Sequence, residues 1–267
     1  MLNLIEADRL PDQPHITPGA LDAAIRARGD AGRDLPASRW EVAQDAAGRI
    51  VGVVVFASPP GDGAGQILAL HCREVHAVAA ALIGRALTAL GRTRVVEAFA
   101  GPPPFNPQSP AGLAVRLRPA TRTTLEAAGF STRHTWHGFH HALKNRPSPT
   151  TYPIACVTGR GDPPGWHLEL RQVDGSIVCE ATVDRAADRT AVLTSMTTHP
   201  DHRRRGLGRH LLGQCLNVAA EHDAREMTAW VREPDADSEE DDGGAIQLLA
   251  ALDFRPGETL RSFRRRP

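Results

Sequence analysis

Apolar positions along this chain switch between alternating, strand-like spacing and helical spacing, and they do so in the same order twice. In the first pass, residues 2–6 read as a strand and residues 17–28 as a helix, with Thr17 as cap and Pro18 in its first turn. Residues 40–44 and 50–57 predict a hairpin about Asp45-Ala46-Ala47-Gly48. A strand at 66–72, a helix at 75–90 and a strand at 94–100 follow. The proline-rich stretch GPPPFNPQSP then leads to a helix at 120–128 and strands ending near Leu143.

The second pass opens after KNRPSPTTYP, whose prolines mark a boundary and divide the chain into domains 1–144 and 151–267. A hairpin at 166–172 and 177–183 turns at Val173-Asp174-Gly175-Ser176. A strand at 191–198, a helix at 206–222, a strand at 226–231, a helix at 245–252 and a strand near 259–265 complete it. At one constant offset Leu125 pairs with Leu249, Phe130 with Phe254, Thr135 with Thr259, Trp136 with Leu260 and Phe139 with Phe263. Gly48-Arg49-Ile50-Val51 likewise resembles Gly175-Ser176-Ile177-Val178. A period above about 100 residues implies duplicated domains rather than a solenoid. The predicted fold is α/β with a mixed sheet and a central crossover in each copy. The second copy has little room for leading helices and is expected to lean on the first to cover its sheet.

Composition narrows the picture. The 267 residues, 41% hydrophobic and 23% charged, suit about two ordinary domains. Thirty-one basic residues balance 31 acidic ones, which gives no case for nucleic acid or a membrane surface as partner. No apolar run approaches ~20 residues, so no membrane span is expected. The start, MLNLIEADRL, lacks a secretory pattern. Cys72, Cys156, Cys179 and Cys215 form no Cys-x-x-Cys pair; reduced thiols and a cytoplasmic location are expected. Nothing here separates a monomer from a homodimer.

The most informative stretch is HPDHRRRGLGRHLL, from His199 to Leu212. A strand stopped by Pro200 runs into Arg203-Arg204-Arg205, then Gly206-Leu207-Gly208, and an amphipathic helix begins with Leu207, Leu211 and Leu212. Glycines let backbone approach a ligand, and the first helical N–H groups are unpaired at the positive end of the dipole. Arginines, ending with Arg209, add charge there. The spacing fits neither GxxxxGK[ST] nor GxGxxG. It does fit Arg-x-x-Gly-x-Gly, and so resembles the acyl-CoA loop of the GNAT N-acetyltransferase superfamily. That resemblance implies that Arg203, Arg204, Arg205, Gly206, Leu207, Gly208 and Arg209 hold a CoA pyrophosphate, with Met196 and Thr198 aligning the pantetheine arm. It implies acetyl-CoA as acyl donor. The first copy reads His71-Cys72-Arg73-Glu74 at the corresponding place, and so resembles a degenerate GNAT domain.

The usual catalytic groups of that family are missing. Its tyrosine position falls on Leu249, and the glutamate position at the end of the next strand falls on Trp230. No acidic residue lies between Asp188 and Asp201. Ser195 and Glu233 are left as catalytic candidates, and Thr194, Trp230 and Asp235 as acceptor-binding ones. The resemblance implies N-acetylation of a small amine, with orientation supplying most of the rate. The alternative is a non-catalytic acyl-CoA-binding or structural protein. The acidic run Glu233 to Gly244 is either a solvated loop or a funnel for a cationic amine. His134 and His140 would lie about 20 Å apart on a strand, and His137 and His141 about 13 Å, so no metal site is expected there.

Overall fold

The computed structural model describes residues 1–9, 15–26, 38–59, 63–91, 94–101, 111–143, 153–161, 163–186, 189–234 and 243–267. These form two compact units, Met1–Trp136 with Glu258–Pro267, and His137–Gly257. The sequence boundary at 144/151 differs from this division, because the last strand pairs within the first unit.

The first unit contains α1 (Leu2–Ala7), α2 (Pro18–Arg26), β1 (Ser38–Gln44), β2 (Ile50–Ala57), β3 (Gly65–His71), α3 (His76–Leu90), β4 (Val96–Ala98), β5 (Leu113–Ala114) and α4 (Pro119–Ala127). A strand β6 (Ser131–Ala142) starts in this unit and ends in the second. The second unit continues with β7 (Cys156–Gly161), β8 (Pro164–Arg171), β9 (Ile177–Arg185), β10 (Thr190–Thr198), α5 (Leu207–Glu221), β11 (Glu226–Arg232) and α6 (Gly243–Ala250). The last strand, β12 (Arg255–Arg265), starts there and ends in the first unit. Sheet order in the first unit is β1-β2-β3-β4-β12-β6, and in the second β6-β11-β10-β9-β8-β7. Each unit has one parallel pair joined by a helix: β3 and β4 through α3, β10 and β11 through α5.

The duplication is visible in backbone hydrogen bonds. The Phe130 amide donates to the Leu125 carbonyl, and the Phe254 amide donates to the Leu249 carbonyl at the same offset, both at 3.1 Å. Gly129 (φ +87°) and Asp253 (φ +59°) take matching left-handed positions before β6 and β12. The two hairpin turns match as well: Asp45 and Asp174 each accept a backbone N–H two residues on, ahead of or around a positive-φ glycine.

The units differ in how their sheets are covered, and the strands say why. The β2 run Val53-Val54-Val55-Phe56-Ala57 is apolar without alternation. Val53, Val55 and Ala57 pack with Leu4, Ile5, Leu21 and Ala24 on one face, while Val54 and Phe56 pack with Leu82 and Ile83 on the other. Continuous apolar strands of this kind are buried on both faces. In β9 the pattern alternates: Cys179, Ala181 and Val183 face the α5 core, and Glu180 and Thr182 face away. The second sheet therefore presents a polar face that includes exposed Ser195 and Thr197.

Two local expectations are corrected. Residues 2–6 form α1, burying Leu4 and Ile5 together, a spacing that a short apolar run shares with a strand. The strand β7 was not foreseen; its residues are exposed or nearly so, and an edge strand of that kind carries no apolar alternation.

Candidate functional site

The strand β10 pairs with β11 only from Thr190 to Leu193, against Glu226 to Ala229; beyond this the ladder has no further described partners. It stays paired with β9 to its end, across a β-bulge where Leu193 faces Val183 but Ser195 faces Thr182. The extra residue is Thr194, whose hydroxyl donates to the Thr182 carbonyl at 3.2 Å. A bulge bends its strand. Here the bend coincides with the point where β10 and β11 part, leaving a gap between Thr194–Thr198 and Trp230–Arg232.

The bulge also sets which side chains look where. Met196 is half-buried against the α5 core, and Thr198 lies beside it. Ser195 and Trp230 share the opposite, polar face on neighbouring strands, as the alternation of β10 and β11 requires. Ser195 and Trp230 thus lie on the same face of strands that have parted, while Thr194 is bonded to β9. Glu233 is exposed past the end of β11, and its neighbour is His137 of β6 at 3.9 Å, whereas Ser195 lies on the β10 side. Asp235 lies outside the described residues. Leu249 is buried in the core, offering no hydroxyl.

At the upper end of β10 the chain makes a short 3₁₀ turn, Pro200–His202, anchored by the His199 amide on the Val178 carbonyl at 2.9 Å. Arg203 Nε donates to the Thr198 carbonyl at 3.2 Å. Arg204 and Gly206 take positive φ, +59° and +77°, and Gly206 is the N-cap of α5 without a side-chain cap. The first helical amide with a partner is that of His210, on the Gly206 carbonyl at 3.0 Å. Among the described residues, no acceptor takes the amides of Arg204, Arg205, Gly206, Leu207, Gly208 or Arg209. Arg203, Arg204, Arg205 and Arg209 are exposed, and no described carboxylate pairs with them. A row of free amides at a positive dipole end, flanked by guanidinium groups, has the chemistry to attract an anion.

Gly208 sits where a Cβ would lie 3.5 Å from Met196 Cε and Leu248 Cδ2 and 3.6 Å from Thr198 Oγ1. The helix start therefore closes on the end of β10, and the phosphate-type turn and the Met196–Thr198 edge are one cradle. Below it, Cys179 Sγ lies 3.1 Å from Thr198 Oγ1. Burial raises the Cys179 thiol above its ordinary range and pushes Cys215 up to about 12, so both stay protonated and poor nucleophiles.

The corresponding turn of the first unit is closed. Arg73 and Glu74 take positive φ, +48° and +57°, without glycine. Asp8 Oδ2 accepts the Cys72 amide at 3.3 Å. Glu74 Oε2 accepts the amides of Ala120 and Thr121 at 2.7 and 3.0 Å, capping α4, while Arg118 Nε donates to its Oε1 at 2.6 Å. The Asp8 carboxyl is pushed up by burial, but the His71 hydrogen bond and the Arg118 charge hold it below the usual range. Glu74 behaves alike, with Thr121 and Arg118 outweighing burial. Burial lowers His71, whose Nδ1–H must donate to the acceptor-only Asp8 carboxylate.

Solved structures resemble the chain over nearly its full length. A GCN5-related N-acetyltransferase from Sphaerobacter thermophilus gives a TM-score of 0.63 at 12% identity, covering 100% of this chain and 92% of that one. A tandem GNAT protein from the clavulanic acid biosynthesis pathway gives 0.60 at 16%, covering 98% and 91%. A GCN5-related N-acetyltransferase from Kribbella flavida gives 0.52 at 15%, covering 94% and 96%. No curated protein matches the chain in sequence. The fold is that of the GNAT acetyltransferases, with two GNAT-like units. Residues 125–240, from within α4 past the end of β11, match the model of the acetyltransferase (GNAT) family. No described helix is long and apolar enough to cross a membrane.

Proposed function

We propose that the chain transfers an acetyl group from acetyl-CoA to the nitrogen of a small amine, using the second unit. The observation that carries this reading is the parting of β10 from β11 at the Thr194 bulge, directly below a turn with six free amides. The amides of residues 204–209, with Arg203 to Arg205 and Arg209, would hold a pyrophosphate. Met196 and Thr198 would line the arm, with the helix start at Gly208 close above them. Acetyl-CoA supplies a thioester carbonyl and a thiol leaving group.

The chain's own residues have an orienting role. Ser195 and Trp230 frame one side of the gap, and Thr194 is fixed to β9 and so keeps the bulge in place. The amine must be neutral to attack; the C–N bond forms as C–S breaks, and the ammonium proton passes to solvent. Holding the pair in place supplies an effective molarity of roughly 10⁵ M or more. Cys179, below the cradle, would not act as a nucleophile, since burial holds it protonated.

The first unit's turn is already filled by Asp8 and Glu74, whose charges would repel a phosphate. The proposal therefore puts acyl-CoA binding in one unit alone. A second reading, binding without turnover, is favoured by the buried Leu249 at the family's tyrosine position. Free-thiol release from acetyl-CoA across a panel of amines separates the two. Amine-dependent release whose rate climbs with pH to the acceptor's own titration supports transfer. Tight acetyl-CoA binding with no release for any amine supports the second reading, and no binding at all overturns both.

A further inference from the structure

We propose a binding site for a divalent cation of the zinc, nickel or cobalt type on the polar face of the second sheet, formed by His167, Glu169 and Glu180. The three side chains come from two paired strands. Glu169 on β8 stands directly opposite Glu180 on β9, and His167 stands opposite Thr182. Ligand atoms of all three lie within 4.8 Å of one another.

The placement is unusual for a ladder. Like charges directly opposite in an antiparallel pair repel, and sheets generally avoid them. Here His167 Nε2 points between the two carboxylates, 3.1 Å from Glu169 Oε1 and 3.5 Å from Glu180 Oε2. Tetrahedral zinc, with bonds of about 2.0–2.2 Å to nitrogen and oxygen, separates its ligand atoms by about 3.4 Å. Both distances fit that edge.

The surrounding contacts aim the ligands. Thr182 Oγ1 lies 3.3 Å from His167 Nδ1, which fixes the ring and leaves Nε2 for an ion. Arg171 donates to Glu169 Oε2 through Nε at 2.9 Å and Nη2 at 2.5 Å, so Oε1 stays turned toward the histidine. A nitrogen donor with two carboxylates suits a borderline ion and disfavours magnesium or calcium. Three protein ligands leave a position for water or for a ligand donor atom.

None of the three belongs to the proposed acyl-transfer cradle, although they share the face that carries Ser195. The alternative is that the imidazole alone bridges the carboxylates, with no ion. The test uses the full chain, freed of metal by a chelator, with Co²⁺ and Zn²⁺ as probes. Expected is one saturable equivalent, with the visible bands of low-coordinate cobalt, weakened about tenfold or more in both His167→Gln and Glu180→Gln. Circular dichroism confirms that each variant is folded, and acetyl-CoA affinity should be unchanged. Absence of saturable binding, or equal binding in both folded variants, overturns the site in favour of the imidazole bridge. Either result leaves the acyl-transfer reading standing or falling on its own assay.

Discussion

The turns after β3 and after β10 start from one plan and end in opposite states. Each follows the inner strand of a parallel pair, each uses left-handed residues, and each opens a 15-residue helix. After β3 the neighbouring groups are satisfied from inside: Asp8 takes the Cys72 amide, Glu74 caps α4, and Arg118 lies between them. After β10 the amides find no described partner and the nearby charges are exposed arginines. A duplicated anion cradle can therefore be converted into a structural cap by supplying the chain's own carboxylates. Binding capacity in one copy is exchanged for stability in the other.

Gly206→Glu should break the open turn most severely. It forces a side chain into φ +77° and sets a carboxylate among the free amides, much as the first unit does. Acetyl-CoA affinity by calorimetry should fall about 1000-fold, near 4 kcal/mol; retention of binding would falsify the assignment of the turn. In the closed turn, Arg118→Ala leaves two carboxylates without their guanidinium, in a place where Arg118 and Asp8 are almost wholly buried. The expected loss is about 3 kcal/mol of stability by denaturant melts, with acetyl-CoA affinity intact.

Acid should act on the same cluster. His71 has a folded pKa below its unfolded value, so stability present above about pH 6.5 is lost as pH falls. Asp8 and Glu74, also depressed, extend the loss to below pH 4. A melting temperature that stays flat from pH 7 to 4 would contradict the described network. Arg203→Ala, removing one exposed cation, should weaken acetyl-CoA by only about fivefold, and less at high salt. Smallest of all is Gly208→Ala, whose added carbon meets neighbours at ordinary distances; a change of at most about twofold is expected.

Much of this was legible in the residues. Apart from α1, β5 and β7, the order of elements follows from local spacing and turn chemistry, as do both hairpin turns and the glycine turn, and these needed no partner to be recognised. The Thr194 bulge was not legible, because it is a mismatch between two strands and leaves no mark on either alone. The Asp8, Glu74 and Arg118 cluster joins residues far apart in the chain, so Glu74 read only as part of a degenerate turn. His167, Glu169 and Glu180 were overlooked for the same reason: only the β8–β9 register brings Glu180 to the other two. The polar face of the second sheet was readable in the alternation of β9, against the unbroken apolar run of β2.

The closing strand gives the molecule an order of assembly. Phe263 to Arg265 pair with Ala98 to Val96, Arg264 and Arg133 both clasp Glu97, and Leu260 packs over Gly112 at φ +125°. On a ribosome the first 136 residues would emerge with one sheet edge still bare, to be sealed only after the whole of the second unit had followed. Trimming the tail should thus unravel the head.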